Sequence, residues 1–595
     1  MMKRILLSLL IVLFAVTMSA VPSLRTWRTY TQSDGTKIEL MLVGDENFHY
    51  FTTTDGIAVM EDRGNYYYAD ITGQHLQRSN LLAHAPQLRT AEEKTTLAQL
   101  GNGNDSNLRR LRANAPQLTT PRRVGDPSSY IGSKRGLIIL VSFDDLEFQG
   151  DDPKAIWTDL ANKEGYTNNQ GAKGSVHDYF LDQSRGLFDL SFDVVGPYKA
   201  PKSVTYYGEN NNRGGDQWQR VIELLKFACE SADEDVNYKD YDWDGDGEVD
   251  QVFMLYAGMG EASGGESYTI WPHESQIGKW PVAYRLDNTI INTYACGEEL
   301  NYYGQLTGIG TFCHEFSHCL GLPDFYDTRA NSGTANTNYG MGTWDVMCGG
   351  SYNSNSWVPA AYTGYERKFC GWIEYKELTD PCKVSSLAPI AENGDVFCYR
   401  NPQHPDEYYL FEHRNNTVGW DRGVASRGLL IYHVNYVADR WHNNTPNNGE
   451  AGVECMAAVA ADNSRSEYTE NGDLFPYTST IPVRTYNEFS DETTPADILY
   501  YPNTDGTKLL HIKLSKITYT KKTKTVSFVF NDGTDEYVDT GIDENTITLF
   551  NKGVAGIYDL NGLRMNATEQ TLSTLPPGLY IIKSADGSTK KVMVK

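Results

Sequence analysis

Short alternating runs open the chain. Residues 37–43 (Lys-Ile-Glu-Leu-Met-Leu-Val) are bounded by the turn dipeptides Asp34-Gly35 and Asp55-Gly56, which predicts a small β-rich unit. After about residue 85 the pattern decays into a Thr/Asn/Gln/Arg-rich stretch with Arg109, Arg110, Arg112, Arg122 and Arg123, an exposed basic linker open to proteolysis. A continuous apolar run over 136–143 predicts a buried strand. Residues 218–232 place Trp218, Val221, Ile222, Leu225 and Ala228 on one helical face, and a further strand is expected over 249–257. Helices and strands alternate to about residue 375. Residues 385–535 lack helical periodicity, and runs such as 408–411 and 428–434 between polar turns predict a β-sandwich. Short strands return over 545–595, around the turn Asn561-Gly562. The fold class is therefore multidomain, an α/β (α+β) unit over 124–380 between a β-rich unit over 21–123 and a β-sandwich-like unit over 381–535, with a small β domain over 545–595.

Charge and composition narrow the class. The 595 residues carry 77 acidic and 52 basic side chains, a net charge of -25, which excludes the basic footprint of a nucleic-acid binder. Within residues 1–20, Ile5–Val16 is the one strongly apolar run of the chain. Lys3 and Arg4 precede it, and Ser19 and Ala20 close it, the layout of a secretory signal peptide rather than a membrane anchor. The expectation is an exported, extracellular or surface protein with no transmembrane segment once the signal is removed. All nine cysteines lie between Cys229 and Cys455. An odd number leaves at least one thiol unpaired, and so few in so long a chain do not make a disulfide scaffold.

The strongest chemical signal is His314-Glu315-Phe-Ser-His318, followed by Gly321, Pro323 and Asp324. Helical residues four apart share a face, so His314 and His318 can offer two imidazoles to one zinc ion, with Glu315 beside them to hold and deprotonate water. Gly321 can end the helix in the left-handed conformation, and Pro323 forbids its continuation, so the reversed chain brings Asp324 up as the third ligand. Two histidines and a carboxylate leave one zinc position open, as catalytic sites require. Met347 follows in a Gly-rich segment and is expected to form a Met-containing turn beneath the metal. A second motif places Asp242, Asp244, Asp246, Glu248 and Asp250 at alternate positions around Gly247, an oxygen-rich loop suited to calcium. There Glu248 would act through its backbone carbonyl. Phe253 stands where a full EF-hand carries its bidentate Glu, so a loop leading into a strand is expected. Cys313 and Cys319, six residues apart, should not bridge each other.

These residues together resemble the immune inhibitor A family of secreted zinc metallopeptidases. The resemblance rests on residues 314–327 (HEFSHCLGLPDFYD), 175–196, the acidic loop 242–250, Tyr256-Ala-Gly258, 270–273, 344–347 and Gly371-Trp372, with looser matches at 409–414, 428–434 and 472–476. It implies a zincin-type metallopeptidase domain that hydrolyses internal peptide bonds of proteins, made as a zymogen with residues 21–123 as propeptide and inhibitor. Cleavage is expected at Arg122-Arg123, with Lys134-Arg135 second. No cysteine precedes Cys229, so a propeptide thiolate cannot be the latch on the zinc. The tail resembles the C-terminal sorting domains of type IX secretion cargo in Bacteroidota, which implies the secretion machinery as a partner. Two other readings stay open on the residues alone: another zinc hydrolase, such as an aminopeptidase or amidase, or a catalytically idle surface adhesin. An intact Glu315 counts against the last, because binding a metal does not need it.

Overall fold

The computed structural model describes residues 22–45, 48–72, 75–100, 127–209, 216–278, 282–328, 338–450, 452–538, 554–559, 564–565, 578–584 and 589–594. The expected signal segment, the part of the expected linker that holds Arg109 to Arg123, and the expected turn at Asn561-Gly562 lie outside the described residues.

The N-terminal unit is an antiparallel six-stranded meander: β1 (Arg28–Thr31), β2 (Lys37–Asp45), β3 (Phe48–Thr53), β4 (Ala58–Asp62), β5 (Asn65–Thr72) and β6 (His75–Leu82), closed by helix α1 (Ala91–Leu100). Its period-2 pattern turns Ile38, Leu40 and Leu42 into one core with Val59, Tyr66 and Tyr68. That core is completed by Ala262 and Trp271 from the next unit, so the meander buries its apolar face against it.

The central unit is built on five strands, β7 (Gly132–Ser142), β8 (Phe188–Lys199), β9 (Val252–Met259), β10 (His273–Gln276) and β11 (Thr293–Leu300), in the order β10-β11-β9-β7-β8. Four run parallel and only the edge strand β10 is antiparallel. Helices α2 (Pro153–Asn162), α3 (Val176–Gln183) and α4 (Asp216–Ala232) supply the crossovers, and α3 begins with a capping box between Ser175 and Asp178. Strand β7 starts four residues before the predicted apolar run. The added positions are polar: Lys134 donates to the Trp243 carbonyl, and Arg135 pairs with Asp193 and Asp240. Strand β9 starts later than predicted, at Val252, because Val249 N–H and Asp250 N–H are taken by the carbonyls of Ile290 and Tyr241 outside the ladder.

Downstream, β12 (Lys376–Glu377), β14 (Phe397–Arg400), β15 (Glu407–Asn415), β16 (Arg427–Asn435) and β17 (Met456–Ala458) form one sheet. A second sheet holds β13 (Cys382–Leu387), β18 (Phe489–Ser490), β19 (Lys513–Thr520) and β20 (Thr525–Phe530). Tyr409, Phe411 and Ile431 face the second sheet, whereas Leu410, Leu430 and Tyr432 join the central unit's core. Strand β15 is therefore buried at all nine positions. In the tail, β21 (Val554–Asp559), β22 (Gly578–Ser584) and β23 (Thr589–Val594) pair antiparallel. Among the described residues no helix is long and apolar enough to cross a membrane.

Candidate metal centre

Helix α5 (Gly310–Cys319) carries the His-Glu-x-x-His residues and is buried over Gly310–His318. Its entry depends on a glycine: a Cβ at Gly310 would stand 1.8 Å from the Ser351 carbonyl oxygen. Phe312 stacks on Phe253 of β9 at 3.8 Å between centroids, and Phe316 packs on Phe192 of β8, which seats the helix on the sheet. At the far end Gly321 takes φ +94°, the left-handed value, and the chain turns back. That turn delivers both the Leu322 carbonyl and Asp324 to the histidines.

His314 Nδ1 lies 2.7 Å from the Val346 carbonyl and His318 Nδ1 2.8 Å from the Leu322 carbonyl. A carbonyl only accepts, so each Nδ1 carries the proton and each Nε2 keeps a lone pair. The two Nε2 atoms stand 3.1 Å apart, and Asp324 Oδ1 lies 3.2 and 3.3 Å from them. Asp324 Oδ1 is buried and receives no hydrogen bond. Three electron-rich atoms converge with no proton between them, an arrangement that a cation relieves. Ligands of a tetrahedral zinc at about 2.0–2.2 Å stand about 3.3–3.5 Å apart, so this triangle has close to the right size. Glu315 is fully buried on the same helix. Burial, and then the charges of Glu298 and Glu315, push the Tyr352 hydroxyl well above its ordinary value.

Met347 is buried in the segment that supports His314. Its N–H donates to Asp345 Oδ1 at 2.7 Å, its carbonyl accepts from Phe325 N–H, and the preceding carbonyl, Val346, orients the imidazole. Burial pushes the Asp345 carboxyl above the usual carboxylate range and Glu366 well above it. Neither Cys313 nor Cys319 joins the triangle, and all nine cysteines are free thiols.

One supporting residue has no counterpart in the sequence reading. Asn444 Nδ2 donates to Asp324 Oδ2 at 2.5 Å, and Asn444 Oδ1 accepts the Asp324 N–H at 2.6 Å. This two-point clamp comes from 120 residues downstream, and no local pattern announces it. Asn444→Ala is expected to weaken zinc affinity about 10–100-fold, as loss of such orienting partners does. Competition against a chelator of known affinity measures it, and an unchanged affinity contradicts the clamp's role.

The acidic loop is partly assembled. Asp242, Asp244 and Asp250 each offer an oxygen within 4.8 Å of the others. Asp246 and Glu248 stand outside that group: Asp246 Oδ1 accepts the Glu248 N–H at 2.9 Å, and Glu248 Oε1 accepts from Asn292 at 3.1 Å. Gly245 and Gly247, at φ +76° and +86°, let the loop fold its amides onto Asp242.

Comparison with known proteins bears on the unit that holds this centre. Over 250 residues, 37% of its length, the chain is 26% identical to the pre-pro-metalloprotease PrtV of Vibrio cholerae, covering 27% of that protein. Over 292 residues, 42% of this chain, it is 24% identical to immune inhibitor A of Bacillus thuringiensis, covering 41% of that protein. The chain thus spans well under half the length of the curated relatives it matches. Residues 147–372, which include α5, Asp324, Met347 and the acidic loop, match the family model of the immune inhibitor A peptidase M6 catalytic domain, so the stretch around this centre is similar to a metallopeptidase.

Proposed function

We propose that the chain is a secreted zinc-dependent endopeptidase, made as a zymogen, that hydrolyses internal peptide bonds of proteins. The observation that carries the reading is the buried triangle of His314 Nε2, His318 Nε2 and Asp324 Oδ1 with Glu315 on the same helix. Those three side chains would hold the zinc. Zinc there would supply Lewis acidity, polarising the scissile carbonyl and acidifying water. Glu315 takes the proton of the attacking water and returns it to the leaving amine. Val346 and Leu322 hold the two imidazoles in the tautomer that leaves each Nε2 lone pair available.

The N-terminal sheet is the inhibitor in this reading. Pro22, Ser23 and Leu24 line a cavity with Tyr352 and with Tyr326 and Asp327, which follow Asp324 by two and three residues. The Tyr352 hydroxyl donates to the Pro22 carbonyl at 2.6 Å, and Leu24 N–H donates to the Ala262 carbonyl at 2.9 Å. A peptide seated there stands in the way of a substrate. Lys134-Arg135 lies within β7, paired to β8, so a protease would have to open the central sheet to reach it. Arg122-Arg123 is the activation point in this reading. The tail is assigned to the secretion machinery.

Casein cleared after limited trypsin treatment, and not before it, is the expected result. Zinc-loaded, processed protein that leaves casein intact contradicts the reading. Calcium at Asp242, Asp244 and Asp250 is part of the same proposal, with the Glu248 carbonyl and Asp246 as further oxygens. A chelator that removes calcium and spares zinc is expected to lower the melting temperature, because a cation held only by the folded loop stabilises it. An unchanged melting temperature counts against calcium.

A further inference from the structure

An arginine of the N-terminal sheet is seated inside the central unit. Arg28 opens β1 yet is only 8% exposed. Its Nη2 donates to the Ser263 carbonyl at 3.1 Å, and its guanidinium carbon lies 3.5 Å from the centre of the Tyr302 ring. The slot exists because residue 264 is glycine: a Cβ there would stand 1.4 Å from Arg28 Nη1. Glu298 of β11 lies behind Ser263. Its Oε1 accepts the Ser263 hydroxyl at 2.7 Å, and its Oε2 is buried with no hydrogen-bond partner. His49 of the N-terminal sheet meets Glu261 on the same wall, with Nε2 2.9 Å from Oε1. The peptide leading to Arg28 is bonded along this wall at Ala262 and Tyr352. The central unit therefore holds an extended peptide with a basic side chain in a slot of matching chemistry.

We propose that this slot is a substrate subsite for a basic side chain. When residues 22–100 leave, an arginine or lysine of a bound peptide takes the place of Arg28, over Tyr302 and on the Ser263 carbonyl. The inference rests on the endopeptidase reading and deepens it. A cation over a tyrosine face gains most where water is excluded. A neutral side chain in the slot leaves the Ser263 carbonyl unpaired and the Tyr302 face without a cation, and an unpaired polar group discriminates more strongly than added apolar contact. Arginine is favoured over lysine because its planar group can stack and donate at once.

Two measurements test this. In the full chain, Arg28→Ala vacates the slot without any need for catalysis. Agmatine, a small guanidinium cation, is expected to raise the melting temperature of this variant, and to leave the wild type and the Arg28→Ala/Tyr302→Leu double variant unmoved. Absence of a shift in the single variant, or an equal shift in the double, overturns the slot. In the processed enzyme, cleavage sites in a mixture of unfolded proteins are mapped by mass spectrometry. Arginine and lysine are expected to be enriched at one fixed distance from the scissile bond, and Tyr302→Leu to reduce that enrichment roughly fivefold, the scale of one desolvated cation–π contact. An enzyme that cuts with no such enrichment overturns the subsite. An agmatine shift without any cutting supports the slot and overturns the endopeptidase reading instead.

Discussion

Glu315→Gln is expected to fold, to bind zinc as the wild type does, and to cleave a blocked peptide at least about 10³-fold more slowly. Glutamine keeps the volume and one oxygen of the side chain but offers no carboxylate to take a proton. The two imidazoles and Asp324 are untouched, since Glu315 is not part of the triangle. Proton transfer by a positioned base contributes about 10²–10⁴-fold by itself, and this group serves twice, on water and on the leaving amine. Metal content and kcat measured on one preparation separate the effects. Loss of zinc would make Glu315 a structural residue, and an unchanged kcat would remove it from the chemistry.

Arg414→Met is expected to destabilise the protein by about 3–5 kcal/mol, the cost of removing one partner from a buried ion pair. Arg414 is fully buried between the central unit and the first downstream sheet. Its Nη2 donates to Asp421 Oδ1 at 2.6 Å and to the Ala361 carbonyl at 3.1 Å, and its Nη1 donates to the Trp344 carbonyl at 2.7 Å and to Glu412 at 3.3 Å. Methionine fills much of the volume but abandons Asp421, Glu412 and two carbonyls, each costly to leave unpaired in the interior. Trp344 precedes Asp345 and Met347, so the loss reaches the segment that orients His314. A lower denaturation midpoint together with weaker zinc retention is the expected pair of results. A midpoint within experimental error of the wild type contradicts the bracing role.

The convergence of His314, His318 and Asp324 was legible because its parts are local. Helical spacing alone puts His314 and His318 on one face, and Gly321 with Pro323 announces the turn that returns Asp324. The strands of the central unit were readable from their apolar runs, though not their ends. Polar pairs such as Arg135–Asp193 extend β7, and loop contacts shorten β9. What could not be read depends on chain segments far apart in sequence. Asn444 clamps Asp324 from 120 residues away, and Arg28 reaches Ser263 across 235. Strand β15 alternates as a half-buried strand would, with Tyr409, Phe411 and His413 on one face and Glu412 and Arg414 on the other. Those two charges are buried against the central unit rather than in water, and only the packing of one unit on the other reveals it. The acidic loop was legible as a pattern, and the structure groups Asp242, Asp244 and Asp250, while the Asp246 side chain caps the loop's own backbone and the Glu248 side chain turns to Asn292.

The most direct test of the central claim follows zinc and internal cleavage together. The trypsin-processed protein is stripped of metal, then returned to zinc in steps while new N-termini in an end-blocked protein substrate are counted. The expected result is internal cleavage that disappears with the metal and returns in full at one zinc per chain. Cleavage that persists without zinc, or one tightly bound zinc with no internal cut, would contradict it.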